Sequence, residues 1–179
     1  VKGVRVCKKN LAEIRKTLGF VLQSSDNQMF MPTVFDDMMF GLLNYGMSRP
    51  DAEKRVDEVL ETLGLTKLKN KYNHKISGGE KRMAAIATVL AMQPEAIIMD
   101  EPSVSLDPYN RRAVINVINT LPQTKLIASH DLEMIRETCT RVLLLGGGRV
   151  AASGKTYEIL SNKALLEQNR LEVPISLMK

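Results

Sequence analysis

The chain has 179 residues, 44% of them apolar, with ten methionines and no tryptophan. That length suits one domain burying roughly 70% of its unfolded surface, and the composition excludes a disordered or disulfide-stapled chain. The 25 basic and 20 acidic side chains leave a net charge of +5, but no run of like charge forms a stripe, so a mildly basic solvated surface is expected and a nucleic-acid groove is not.

Val4 to Cys7 reads as a short strand, Leu11 to Lys16 as a polar helical turn, and Leu18 to Leu22 as a buried strand ending at Gln23. Ser24 to Asn27 is built from turn residues and reads as loop. Thr33 to Asn44 has a helical apolar face through Val34, Met38 and Leu42. Ser48 can cap the next helix, Pro50 sits early in it, and Gly64 stops it after Val56, Val59, Leu60 and Leu63. A helix runs from Glu80 to about Met92, stopped before Pro94. Ala96 to Met99 is an apolar strand, Tyr109 to Leu121 a helix, and Lys125 to Ala128 a strand ending at Ser129-His130-Asp131. Leu132 to Thr138 is a short helix. Val142 to Leu145 and Val150 to Ser153 form a hairpin about Gly146-Gly147-Gly148, and a last helix covers Tyr157 to Gln168.

Short apolar strands alternating with helices predict an α/β fold with a largely parallel sheet, both faces covered. Thr33 to Lys75 offers no strand and reads as a helical insertion. Cys7 and Cys139 are too few for a disulfide framework and suit a reducing cytosolic setting. No apolar run reaches the ~18 residues a membrane span needs, and no signal peptide is visible. The chain opens at Val1 and reads as a sequence entered midway.

Ligands of parallel α/β sheets sit at the carboxyl ends of strands. Gln23, Asp100-Glu101, Ser129-His130-Asp131 and, less clearly, Gly146 mark four such ends. Asp100 ends an apolar strand, where a carboxylate is costly unless it holds a cation; it suits a Mg²⁺ contact. Glu101 would polarise an attacking water, a task in which a positioned base typically contributes ~10²–10⁴-fold. Alone, Asp-Glu-Pro could equally be a strand-end turn. Ser77-Gly78-Gly79 at a helix start lets backbone N–H groups close around an anion. His130 suits a hydrogen bond to a terminal phosphate, although a lone histidine there would more often be a turn residue. Gln23 can place its amide oxygen on Mg²⁺ or water. Asp107 could serve the site or simply cap the following helix, and His74 is expected to be structural or exposed.

Ile76-Ser77-Gly78-Gly79-Glu80 resembles the Leu-Ser-Gly-Gly-Gln signature of ATP-binding cassette (ABC) ATPases. Ile97 to Pro102 resembles their Walker B strand, Ser105-Leu106-Asp107-Pro108 the D-loop, His130 the switch histidine and Gln23 the Q-loop glutamine. The five motifs stand in the family's order and cover essentially the whole chain. The resemblance implies a P-loop NTPase-like parallel sheet with a helical insertion subdomain. The chain then divides into residues 1–25 (N-terminal β region and Q-loop strand), 26–75 (helical subdomain), 76–160 (signature, Walker B, D-loop and switch core) and 161–179 (tail). Its cofactors would be ATP and Mg²⁺. Gln23, Ser77, Gly78, Gly79, Glu80, Asp100, Asp107 and His130 would bind ATP, Gln23 and Asp100 would hold Mg²⁺, and Glu101 and His130 would be catalytic.

Gln23 to Phe30, with Asp37-Met38-Met39-Phe40-Gly41 and the tail Gln168 to Pro174, is similar to the cobalt importer and energy-coupling-factor subfamily. Ser24-Ser25 departs from that group's Asn-Pro. The likeness implies a dimer in which each nucleotide is held by one subunit's phosphate loop and the other's Ser77-Gly78-Gly79. Its partners would be a second ATPase subunit, the same or a paralogue, and integral membrane subunits, with no nucleic acid. It would lie peripherally at the cytoplasmic face of the membrane. Met29, Phe30, Met31, Met38, Met39 and Phe40 are expected to form an apolar docking face, not a copper site.

Glu80 replaces the signature glutamine, and Ser103-Val104-Ser105 replaces the commoner D-loop entry. The larger departure is the phosphate loop. Gly148 to Thr156 mimics one, but the spacing from Gly148 to Gly154 is six positions where the motif needs five, and the segment follows a hairpin strand. It reads as a decoy, so the Walker A strand is missing. Losing three charge-assisted contacts of ~1.5–3 kcal/mol each would weaken nucleotide binding by ~10³-fold or more. The leading expectation is an importer ATPase fragment, inactive alone, whose full protein hydrolyses ATP to drive uptake of cobalt, nickel or a vitamin. The alternatives are a module supplying only a signature half-site and a soluble non-transport cassette protein.

Overall fold

The computed structural model describes residues 1–178. They form two compact units, one ending at Ala128 and one beginning at Ser129.

In the first unit, α1 (Leu11–Thr17) leads into β1 (Leu18–Val21), which pairs in parallel with β2 (Ala96–Asp100) and through it with β3 (Thr124–Ala128). Val21 sits opposite Met99, and Asp100 opposite Ala128. Helix α5 (Gly78–Ala91) precedes β2, and α6 (Pro108–Thr120) precedes β3. The strands advance in one direction across the sheet, so right-handed crossovers place both helices on the same face. Gly19 shows the closeness: a Cβ there would lie 2.4 Å from Val89 Cγ1 of α5. Val21, Ile97 and Met99 are buried on this side.

The other face departs from expectation. Phe20, Ile98 and Leu126 form one cross-strand row, with Phe20 47% and Leu126 57% exposed. A parallel sheet normally has both faces covered; within the first unit this face is not.

Between β1 and α5 lie α2 (Ser25–Gln28), α3 (Val34–Asn44) and α4 (Arg49–Thr62). Thr33 caps α3 by accepting from the Asp36 N–H (3.1 Å), and Ser48 caps α4 by accepting from Asp51 (3.3 Å). The insertion is helical as expected, its one β feature being the isolated bridge Thr33 to Tyr72. Ser25–Gln28 is a helical turn, not loop. Val4 to Cys7 forms no strand, because no neighbouring strand completes its ladder, and Val4 and Val6 stay exposed.

The second unit holds α7 (Leu132–Thr138), the antiparallel hairpin β4 (Arg141–Gly146) and β5 (Arg149–Lys155), and helices α8 (Thr156–Leu160) and α9 (Lys163–Gln168). The single last helix expected from the sequence is two: Asn162 interrupts it and caps α9 by accepting from the Leu165 N–H (3.1 Å). Gly146 belongs to this hairpin and not to the parallel sheet.

Candidate functional site

Ser77 is the N-cap of α5. Its hydroxyl accepts from the Glu80 N–H (3.2 Å), and the Glu80 carboxylate accepts from the Ser77 N–H (2.7 Å). This reciprocal capping box satisfies two of the helix's orphan donors. The N–H groups of Gly78 and Gly79 are then the donors left to the helix start. Glu80 thus spends its carboxylate on the cap.

The two glycines differ. A Cβ on Gly78 would meet nothing within 4 Å, whereas one on Gly79 would sit 2.2 Å from Asn110 Cγ. Gly79 is needed for α5 to approach α6; Gly78 leaves backbone open to a ligand. Asp107 caps α6, accepting from the Asn110 N–H (3.0 Å), and that bond first of all holds its carboxyl below the usual range. The helix-cap reading of Asp107 is realised, on an exposed residue.

Gln23 follows β1 and is exposed. It borders a cleft of ≈ 560 Å³ with Ser24, Asp26, Gly78, Lys81 and Ser105. The cleft joins the stretch after β1, the start of α5 and the segment leading into α6 within the first unit. Asp100 ends β2 beside it in the sheet: Val21 pairs with Met99, so Gln23 and Asp100 leave adjacent parallel strands at the same end. Glu101 has a left-handed backbone (φ 45°), and its N–H donates to Ala128 O (2.8 Å). Ser105 is left-handed too (φ 59°). Such outliers cost of order 1–3 kcal/mol and cluster at functional sites. One strand-end carboxylate with an amide nearby fits Mg²⁺, which takes one or two carboxylates and completes its shell with phosphate and water. Among the described residues no cluster of three acidic, histidine or cysteine ligands forms.

His130 lies in the second unit, exposed, one residue before Asp131, the N-cap of α7. His74 is exposed against the Tyr72 ring. The phosphate-loop mimic is strand: Arg149–Lys155 is β5, Gly147 and Gly148 make its turn with φ of 55° and 73°, and the Thr156 hydroxyl donates to Cys139 O (2.6 Å). The expected Met-Phe docking face divides. Met29, Met38 and Met39 are core; Phe30 (63% exposed) and Phe40 (44%) remain outside, edge to face at 4.9 Å.

Sequence reasoning passed over Arg82, Gln28 and Asn110. Arg82 is only 4% exposed and donates to the carbonyls of Leu22 (2.7 Å) and Gln23. Its one sequence signal was its place just after the signature.

The fold is that of a cassette of the P-loop NTPase-like kind. The ABC transporter family model matches residues 1–104, and the chain belongs to the ABC transporter ATPase family. An ABC transporter ATP-binding protein of Geobacter sulfurreducens is 48% identical over 172 residues, 96% of this chain and 69% of that protein. The energy-coupling factor transporter ATP-binding protein EcfA of Methanoculleus marisnigri is 38% identical, covering 97% of this chain and 64% of that protein. The structure of cbiO1 from Clostridium perfringens, part of the ABC transporter complex cbiONQ, superposes with a TM-score of 0.80 at 32% identity, over 92% of this chain and 67% of that one. A dimeric ATP-binding cassette bound to ADP and Pi superposes at 0.74 with 26% identity, over 84% and 68%. The chain spans about two thirds of the length of these curated relatives. Among the described residues no helix is long and apolar enough to cross a membrane.

Proposed function

We propose that this chain is the signature and Walker B part of an ATP-hydrolysing importer subunit of the energy-coupling or cobalt type. It would dimerise with itself or a paralogue and work on integral membrane subunits from the cytoplasmic face. Cobalt, nickel or a vitamin is the cargo class. The carrying observation is the open, capped start of α5: Gly78 bare to solvent, beside a cleft shared with Gln23 and Ser105. Likeness to EcfA and cbiO1 supports the subfamily.

Bound nucleotide with Mg²⁺ would supply the reacting phosphate and its charge neutralisation. Asp100 and the Gln23 amide would hold the ion, with Glu101 as the water's base and His130 as donor to the terminal phosphate. Ser77, Gly78 and Gly79 would face the nucleotide held by the partner subunit, with Glu80 and Asp107 shaping that helix start and its neighbour. The phosphate-cradling loop must come from polypeptide other than these residues, and the bare Phe20–Ile98–Leu126 face fits a cover of that kind. The half-site reading shares this feature: a chain with an intact signature and no cradle completes only its partner's site.

The test uses the full-length protein. Glu101→Gln should abolish turnover while ATP-dependent dimerisation survives; wild-type turnover would remove Glu101 as base. The 179-residue chain alone should show negligible hydrolysis, and measurable steady-state turnover by pure material would overturn the missing-cradle argument.

A further inference from the structure

Leu22 and Gln23 lie past the last paired residue of β1, so the sheet no longer serves their carbonyls. Arg82 of α5 takes both, donating Nη1 to Leu22 O (2.7 Å) and Nη2 to Gln23 O. Its Nε, buried, meets no acceptor among the described residues. A cation is thus held almost wholly out of water for two main-chain oxygens. An apolar side chain would fill the space without that cost; what it could not do is grip two successive peptides with a planar fork.

The grip is reciprocal. Gln28, at the end of α2, accepts from the Leu22 N–H (2.9 Å) and donates to Ala85 O (2.7 Å) and the Thr88 hydroxyl (3.3 Å) of α5. Arg82, Ala85 and Thr88 recur every three residues, so one face of α5 meets the loop. Lys81 adds an exposed ion pair to Asp26. Leu22 is therefore clamped at both its N–H and its C=O.

We infer that Arg82 is a positioning residue that locks the main chain of Gln23 to the helix carrying Ser77–Gly79, so that a displacement of that helix start moves the Gln23 amide with it. The tether stands on geometry; its consequence for Mg²⁺ rests on the ATPase reading. A signature pulled by one nucleotide would reset the metal ligand of the other, within one subunit.

Two measurements on the full-length protein separate these. Without nucleotide, Arg82→Met should speed amide exchange at residues 22–29 by about tenfold or more, as loss of two hydrogen bonds implies, while residues 86–91 exchange as in wild type. Unchanged exchange at 22–29 overturns the tether, whatever the protein's activity. In turnover assays the Mg²⁺ concentration for half-maximal rate should rise about fivefold or more, with the KM for ATP at saturating Mg²⁺ unchanged. Gln23→Ala should do the same, and the double variant should add nothing further. Additive effects, or a raised KM for ATP with unaltered Mg²⁺ demand, overturn the coupling. Should Arg82→Met not fold, Arg82→Lys, which keeps the charge but lacks the planar fork that fits two successive carbonyls, should show intermediate exchange and Mg²⁺ demand; wild-type values for both would overturn the proposal. A full-length protein with no Mg²⁺-ATP turnover would sink the ATPase reading and leave the exchange result to decide the tether.

Discussion

A methyl group on Gly79 would drive into the Asn110 amide, which Asp107 already holds; one on Gly78 would touch nothing. Gly79→Ala should therefore cost ~1–3 kcal/mol in urea unfolding, the usual price of overpacking, while Gly78→Ala should stay within about 0.5 kcal/mol and instead weaken ATP-dependent dimerisation. Equal destabilisation by both would contradict the division of labour. Glu80 has a similar test. Glutamine closes a capping box as well as glutamate, so Glu80→Gln should leave stability within about 0.5 kcal/mol, and Glu80→Ala should lose ~1 kcal/mol. Asp37 is buried under the loop that presents Phe30, accepting from the N–H groups of Phe30 and Met31 (3.1 Å each) and from Asn73. Burial first of all holds its carboxyl above the ordinary 3.8. The folded state then binds this proton more tightly than the unfolded chain. Its contribution to stability is full below about 3.8 and is lost as pH rises through the higher folded value. Melting temperatures of wild type relative to Asp37→Asn should fall across that window; a pH-independent difference would refute it.

Element ends here are fixed by single side chains: Thr33, Ser48, Ser77, Asp107, Asp131 and Asn162 each accept from a first-turn N–H. In the second unit Glu133 of α7 reaches further and accepts from the N–H (2.9 Å) and hydroxyl (2.7 Å) of Ser176. The Ser176 N–H first of all pulls its carboxyl below the ordinary 4.5. That contribution is present above about 4.5 and is lost as pH falls through the lower folded value, the opposite sign to Asp37. The tail about Ser176 should thus be released by acid, seen as faster cleavage after it below the carboxylate range, and Glu133→Gln should release it at neutral pH. Acid-insensitive cleavage in wild type would count against this latch.

At the scale of the whole molecule, the uncovered row Phe20–Ile98–Leu126 is the feature with consequences. Apolar sheet surface of this kind seeks a partner. The chain alone should self-associate in sedimentation velocity, and Phe20→Ser with Leu126→Ser should relieve it; a monodisperse wild-type monomer would contradict the expectation. The end of β2 at Asp100, and that of β1 to within two residues of Gln23, were legible because an apolar run stops abruptly at a polar residue. The Ser48 and Asp107 caps were legible because capping acts over three residues. Val4 to Cys7 misled because a strand exists only with a neighbour, and the last helix misled because Asn162 caps a new helix where periodicity saw one. By itself, then, the sequence determined most of the order of elements, the Ser48 and Asp107 caps and the family motifs, all set by contacts within a few residues. Only the tertiary structure decided which sheet face is bare, which glycine is packed and which is open, and that Arg82 holds Gln23, 59 residues away in the chain. Each of those depends on distant segments brought into contact, which no local pattern encodes.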